Sequence, residues 1–415
     1  MNTQHAQVYL GRQPILDHAQ NVVAYELLFR SGQHAASGVT DDLLASSNVI
    51  INTISQFGIN SILGSRSGFL NVSYALLMSD ALELLPRDQM VLEILETVDV
   101  DDRLVDRCRE LKTKGFRLAL DDFIYSPVYD PLFELVDVVK FDLLAMTMQE
   151  LEQTLRTLKR WPHIRLLAEK VEDHEQFQRC KELGFTLFQG YFFARPTVLS
   201  GKKANPNQVT LMKVLDQLGR DAEIPEIERN FKESPTLSLG LLRLVNSVAM
   251  GLPNKVGSLR QALVVLGRRQ LQRWVQLLLY AQGGSDISSP LLTLAAVRAK
   301  FMENLCRAIP NQGKANDELR ERAFMAGILS LVDTVLGMKM EEVLKQFSLV
   351  DEVRDAVLER KGLLGEMLTL IEKVEAGSFE TVAENLATLG LSVDDLNKAQ
   401  FEAIQWAANL GEEAE

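Results

Sequence analysis

The sequence predicts an α/β domain of the (β/α)8-barrel type, irregular in detail, over residues 1–203, followed by an all-helical domain over residues 204–415. Three observations carry this reading. Up to about residue 200, short apolar runs alternate with longer stretches of helical periodicity, the grammar of parallel strands joined by crossover helices. The stretch "SGKKANPNQV" (200–209) is polar and carries Gly and Pro, as linkers do. Beyond it the apolar residues recur three and four apart almost throughout, which is helical spacing.

The apolar runs, in order, are "VVAYELLF" (22–29), "FLNVS" (69–73), "MVLEIL" (90–95), "FRLAL" (116–120), "VDVVKF" (136–141), "IRLLAE" (164–169) and "TLFQGYFF" (186–193). Between them, "DDRLVDRCRELKTKG" (101–115) and "TMQELEQTLRTLKRW" (147–161) place apolar residues three and four apart and end near Gly or basic residues, as helices do. In the second half, helices are expected over 237–249, 258–282, 290–309 and 319–337.

The bulk numbers narrow the classes. A chain of 415 residues with 47% hydrophobic and 24% charged residues suits a soluble protein of about two domains. No uninterrupted apolar run reaches the ~18 residues of a membrane span, and no secretory signal opens the chain. Cys108, Cys180 and Cys306 lie far apart, with neither disulfide nor zinc spacing, as expected in a reducing cytoplasm. A net charge of -12 argues against a broad nucleic-acid-binding face. The histidines are His5, His18, His34, His163 and His174, so the helical half can build neither a histidine-ligated metal site nor a histidine base.

Each apolar run in the first half carries or ends in a residue able to bind a cation or a phosphate. In order these are Glu26, Asn71, Glu93, Asp121 with Asp122, Lys140 followed by Asp142, Glu169 followed by Glu172, and Gln189. Any one strand-end carboxylate is more often a cap or turn residue, and Lys140 with Asp142 reads equally as a local ion pair. Their recurrence on seven successive strands is the informative feature, because strand C-termini converge on one face of a barrel. Oxygen donors without His or Cys point to hard cations, Mg2+ or Mn2+ among them. Adjacent aspartates can each serve a different ion of a two-metal site for phosphoryl displacement.

With these residues in view, the first half resembles the EAL domain, a family of cyclic di-GMP phosphodiesterases with an irregular barrel. The resemblance runs from Gln13 to Pro196 on "RQPI" (12–15), "YELLFR" (25–30, Leu27 standing where the family has Ala), "NVS" (71–73), "LEILE" (92–96), "LALDDF" (118–123), "VKFD" (139–142), "LAEKVE" (167–172) and "QGYFFARP" (189–196). It implies Glu26, Asn71, Glu93, Asp121 and Asp122 as ligands of one or two Mg2+ or Mn2+ ions. It implies Lys140, Glu169 and Glu172 as catalytic residues, with Glu169 as base or further ligand. Gln13, Arg30 and Gln189 would contact the dinucleotide, Arg30 at a phosphate. The reaction implied is hydrolysis of cyclic di-GMP to linear pGpG.

Two positions depart from the family pattern. After Asp122 the family continues with a Gly-rich loop, roughly G-T-G-Y-S-S-L, whereas this chain has "IYSPVYDPL" (124–132). Ile124 replaces a glycine there and Pro127 stiffens the segment, which predicts low turnover. Lys170 replaces the glycine of the family's E-G-V-E. Its ammonium would compete with a metal, or it is simply a solvent-facing strand-end lysine.

The second half resembles the HDOD domain, an all-helical relative of HD phosphohydrolases without their catalytic residues. The resemblance rests on residues 241–279 and 323–344. It implies a protein partner or a regulatory role, and the first half leaves a homodimer open. Arg268, Arg269 and Arg273 form a basic helix end that reads either as a partner contact or as a solvated face. Two functions follow: a cytoplasmic signalling phosphodiesterase, or a non-enzymatic regulator that binds cyclic di-GMP or a protein. Retained ligands favour the first and the altered loop favours the second.

Overall fold

A computed structural model of the chain describes residues 8–31, 59–193, 206–234, 237–238, 241, 245, 256, 258–281, 290–309, 317–336, 338–345 and 349–412. By internal contacts it divides into two compact units, Met1–Arg195 with Leu370–Gln405, and Pro196–Thr369 with Trp406–Glu415. The boundary expected at 203/204 lies outside the described residues. Leu370–Gln405, which helical periodicity groups with the second half, is part of the barrel unit.

Eight strands close the barrel in sequence order: β1 Val8–Asp17, β2 Val22–Ser31, β3 Ser67–Val72, β4 Met90–Ile94, β5 Arg117–Leu120, β6 Val138–Asp142, β7 Arg165–Glu169 and β8 Leu187–Gln189. Seven correspond to the expected runs. The eighth, β1, is new, and it runs antiparallel to both β2 and β8, while all other neighbours are parallel. Purely parallel pairing therefore fails at this one strand. The helix Asp102–Thr113 is capped by Asp101, Met148–Leu158 by a capping box on Thr147, and His174–Glu182 by Asp173. The expected strand 186–193 is cut short at Gly190, whose φ is 142°. A Cβ there would lie 2.2 Å from the Val171 carbonyl oxygen, so only glycine lets the chain turn against Val171.

Strand alternation separates two cores. One face of the strands packs outward against the helices, where Phe123, Phe133, Phe141, Trp161 and Phe177 are buried. The other face fills the barrel with one residue from every strand: Ile15, Ala24, Phe69, Val91, Ala119, Val138, Leu167 and Leu187. This layer seals the barrel below the mouth, as in barrels filled by side-chain layers.

In the second unit the helices include Pro206–Gly219, Ile224–Lys232, Pro290–Ala308 and Asp317–Leu329. The helix expected over 258–282 spans Leu259–Ala281 but breaks at Gly267, which adopts φ 72° and ψ 160°. The one expected over 319–337 is two, Asp317–Leu329 and Val332–Leu336. Of the helix expected over 237–249, only 237–238, 241 and 245 are described. Among the described residues no helix is long and apolar enough to cross a membrane.

Phe69 is the bulkiest member of the barrel's inner layer, and truncation would leave a void between strands. Phe69→Ala should destabilise the barrel unit by about 3–5 kcal/mol. Denaturant unfolding followed by a barrel-specific probe reads this out, and an unchanged midpoint would show that the layer collapses without cost.

Candidate active site at the barrel mouth

Two residues along each strand from the inner apolar layer, on the same face, stands a polar residue. From Ala24, Phe69, Val91, Ala119, Val138, Leu167 and Leu187 the step reaches Glu26, Asn71, Glu93, Asp121, Lys140, Glu169 and Gln189. In antiparallel β1 the step runs backwards, from Ile15 to Gln13. The ring thus takes one side chain from each strand, and the period of two that points the apolar layer inward points this layer inward as well.

Lys140 occupies the centre. Its Nζ lies 2.7 Å from Asp121 Oδ1, 2.9 Å from Glu93 Oε1, 3.0 Å from Glu169 Oε1 and 3.5 Å from Glu26 Oε2. Lys140 and Glu93 are fully buried, and Glu26 and Glu169 nearly so. Burial alone would depress the lysine, but Glu93, Glu26, Glu169 and Asp121 reverse this and hold its pKa well above the ordinary value. The carboxyls also shift upward, but there burial prevails over the attraction of the lysine. Burial raises Glu93 well above the usual range against the pull of Lys140, with Glu26 and Asp121 adding to the rise. Burial likewise lifts Glu169 to about 7, opposed by Lys140 and assisted by Asp121 and Glu26.

Amide side chains link the remaining members. Asn71 Nδ2 donates to Glu26 Oε1 at 3.2 Å. Gln189 Nε2 donates to Glu26 Oε2 at 2.5 Å and to Gln13 Oε1 at 2.8 Å. Above the ring opens a cavity of about 460 Å³, lined among others by Gln13, Glu26, Asp121, Asp122, Glu169 and Glu172. Ala376 and Gly377, far along the chain, line it too. No local sequence signal marks them, because their neighbourhood reads only as the end of a helix.

The donor set fits a hard divalent cation. Asn71 Oδ1, both Glu93 oxygens and Glu169 Oε2 are buried without a hydrogen-bond partner, as is Lys140 Nζ, whose contacts are ion pairs by distance alone. Among the described residues, Asp121, Asp122 and Glu169 each bring a carboxylate oxygen within 4.8 Å of the others. Apart from the lysine, these are oxygen donors, the chemistry Mg2+ and Mn2+ prefer.

The remaining sequence candidates divide. Asp122 opens to solvent at the mouth, and partial desolvation of its carboxyl, with the charge of Asp121 beside it, raises its pKa. Arg30 lies in β2 opposite Tyr9, and its side chain is outside the described residues. Asp142 pairs with Lys170 rather than with Lys140. The loop after Asp122 carries no backbone strain at Ile124, whose side chain is 68% exposed. Phe123 anchors it by edge contacts to Tyr129, Phe133 and Phe141, and Tyr125 stacks on Phe133. Left-handed backbone falls instead at Asp122 (φ 40°) and Lys170 (φ 55°), both beside the ring. In the helical unit, Arg268 donates to the Ala222 carbonyl, Arg269 pairs with Glu321 and Arg273 with Glu303. The basic helix end is thus engaged by its own unit.

A family model for the EAL domain matches residues 3–196, and one for the HDOD domain matches residues 206–363. The cyclic di-GMP phosphodiesterase CdgJ of Vibrio cholerae is 33% identical over 405 residues, covering 97% of this chain and 93% of that protein. The uncharacterized protein YuxH of Bacillus subtilis is 30% identical over 414 residues, covering 97% and 98%. Among solved structures, the EAL domain of Mycobacterium smegmatis DcpA is similar at 23% identity and TM-score 0.36, over 44% of this chain and 90% of that one. The chain belongs to the EAL–HDOD family.

Lys140→Met would leave four converging carboxylates without their buried counter-charge. The expected loss is about 3–5 kcal/mol of barrel stability at neutral pH, as for other buried pairs broken on one side. A denaturant midpoint equal to wild type would show that the four contacts contribute nothing net.

Proposed function

We propose that the barrel hydrolyses cyclic di-GMP to linear pGpG with one or two Mg2+ or Mn2+ ions, in a cytoplasmic signalling protein. The observation that carries this is the eight-strand ring: oxygen donors from several strands converge around one buried lysine, beneath a cavity open to a ligand. Kinship with a protein named as a cyclic di-GMP phosphodiesterase over nearly its whole length supports the same reading.

Glu26, Asn71, Glu93, Asp121 and Asp122 would hold the ions, with Glu169 as base or further ligand. When bound, the ions acidify water and offset phosphate charge. Glu169, with a pKa lifted to about 7, is suited to take the proton of the attacking water. Water oxygen bonds to phosphorus as the bond from phosphorus to the 3′ oxygen breaks, and the leaving oxygen takes up a proton. Lys140 keeps the carboxylates in place and adds positive charge near the reacting phosphate. Glu172 lines the cavity and would support Glu169. Gln13, Gln189 and Arg30 would orient the dinucleotide. The HDOD domain, with no histidine of its own, would act as a regulatory or partner-binding module.

One observation favours a second reading, a barrel that binds cyclic di-GMP without cleaving it. Lys170 lines the same cavity, and its charge bears directly on Asp122. An ammonium there competes for the role of a cation.

Purified protein with Mg2+ or Mn2+ should convert cyclic di-GMP to pGpG, followed by chromatography. Binding without turnover would establish the second reading, and neither binding nor turnover would sink both. Asp121→Asn should lower turnover at least about a hundredfold, the loss of several kcal/mol of transition-state stabilisation, with the fold intact. A further check needs no substrate. Saturating Mn2+ should raise the wild-type melting temperature through binding to the folded state, and Asp121→Asn should abolish the rise. An equal rise in both proteins would remove Asp121 from the ligand set.

A further inference from the structure

We propose that the turn Glu375–Phe379 is a working part of the substrate site, orienting Gln13 and walling the cavity that receives the dinucleotide. The inference rests on the assignment of that cavity to cyclic di-GMP and adds a specificity element from outside the barrel's own sequence.

Hydrogen bonding gives the first argument. Gln13 Nε2 donates to the Glu375 carbonyl at 3.3 Å. Gln13 Oε1 accepts from Gln189 Nε2, which also donates to Glu26 Oε2. A continuous chain therefore runs from a peptide carbonyl of the C-terminal segment, through two ring amides, to a ring carboxylate. Without the Glu375 carbonyl, the Gln13 amide would lose the acceptor that fixes which of its ends faces Gln189.

Shape gives the second. Ala376 and Gly377 line the same cavity as Gln13, Glu26, Asp121 and Glu169. Gly377 sits at φ 70°, and a Cβ on it would come within 2.6 Å of Leu28 Cδ1. The turn thus lies against β2, two residues beyond Glu26, with no room for a side chain between.

Packing gives the third, and it shows why the turn stays there. The Phe379 ring stacks on Tyr9 of β1, with centroids 5.8 Å apart and planes at 20°. A Cβ on Gly11 would meet the Phe379 ring at 2.9 Å and the Val374 carbonyl oxygen at 3.0 Å. Further along, Phe401 is buried in the barrel's outer core. The segment is built into β1 on both sides of the turn, so the wall is as fixed as the strand beneath it. β1 is the one antiparallel strand, and its Gly11 and Gln13 are the positions that admit and hold the turn.

The test adds bulk to the wall in the full chain. Ala376→Trp, at an exposed position without left-handed backbone, should raise KM for cyclic di-GMP, and its Kd by calorimetry, at least about tenfold while kcat changes little. Ala376→Phe should act in the same direction and serves if the tryptophan variant does not fold. A purely structural turn would instead lower the melting temperature and kcat together, with KM unmoved, and that pattern overturns the inference. Wild-type KM and Kd in a folded variant also overturn it while leaving the phosphodiesterase reading intact. Wild-type protein that neither binds nor hydrolyses cyclic di-GMP sinks that reading, and this inference with it.

Discussion

A lysine ammonium cannot be buried alone, and the barrel is organised around satisfying that constraint at Lys140. Four carboxylates, Glu26, Glu93 and Glu169 from three other strands and Asp121 from just beyond β5, close on one nitrogen. The apolar layer two residues below keeps water from reaching it, so the charges act in a medium where they are felt strongly. The arrangement is not balanced, because four acids surround one base. Burial first, and the crowding of acids after it, makes Glu93 and Glu169 hold their protons more tightly. Several of their oxygens lack hydrogen-bond partners. A ring of crowded carboxyls, several of whose oxygens lack hydrogen-bond partners, suits a cation that would displace their protons, and the barrel strands fix its geometry.

This explains why so much of the site could be read from the sequence. Each parallel strand places its ring residue two positions beyond an inward apolar residue, so the pattern "apolar, any, polar" recurs at every strand end. Glu26, Asn71, Glu93, Asp121, Lys140, Glu169 and Gln189 all follow that rule. Gln13 does not announce itself, because β1 runs the other way and its ring residue precedes its apolar partner Ile15. Gly11, Arg12 and Pro14 also interrupt the alternation that marks a strand. Only likeness to the EAL family pointed to Gln13. In the second unit, the break at Gly267 was hidden for a related reason, since a glycine within helical periodicity costs about 1 kcal/mol and does not by itself announce a kink.

The departures from the family pattern look different once the backbone is known. At position 124 the family's glycine permits conformations that isoleucine resists. Here Ile124 adopts no such conformation and points to solvent, while aromatic contacts through Phe123 and Tyr125 hold the loop. The backbone that favours glycine is found at Lys170, where the family has glycine and this chain does not. Its pairing with Asp142 supplies the compensation, an ion pair that ties the lysine to the neighbouring strand end and keeps its pKa raised. The charge bearing on Asp122 is thus one that the fold holds in place at some conformational cost.

The Ala376–Gly377 wall marks the limit of local reading. Periodicity reports which face of a helix is buried, and it says nothing about which strand that face or its following turn will meet. The contacts that seat the turn join distant parts of the chain, Gln13 with Glu375 and Leu28 with Gly377 among them. What the sequence does contain is a pair of absences: Gly11 on β1, which makes room for Phe379 and the Val374 carbonyl, and Gly377 on the turn, which makes room for Leu28 of β2. Neither glycine is informative alone, since each is also an ordinary loop or strand irregularity. Their meaning appears only when the antiparallel strand β1, which reaches β2 with no helix between them, is seen to take its cover from elsewhere in the chain. The C-terminal segment provides that cover, and in doing so places peptide groups beside the ring that Lys140 holds together.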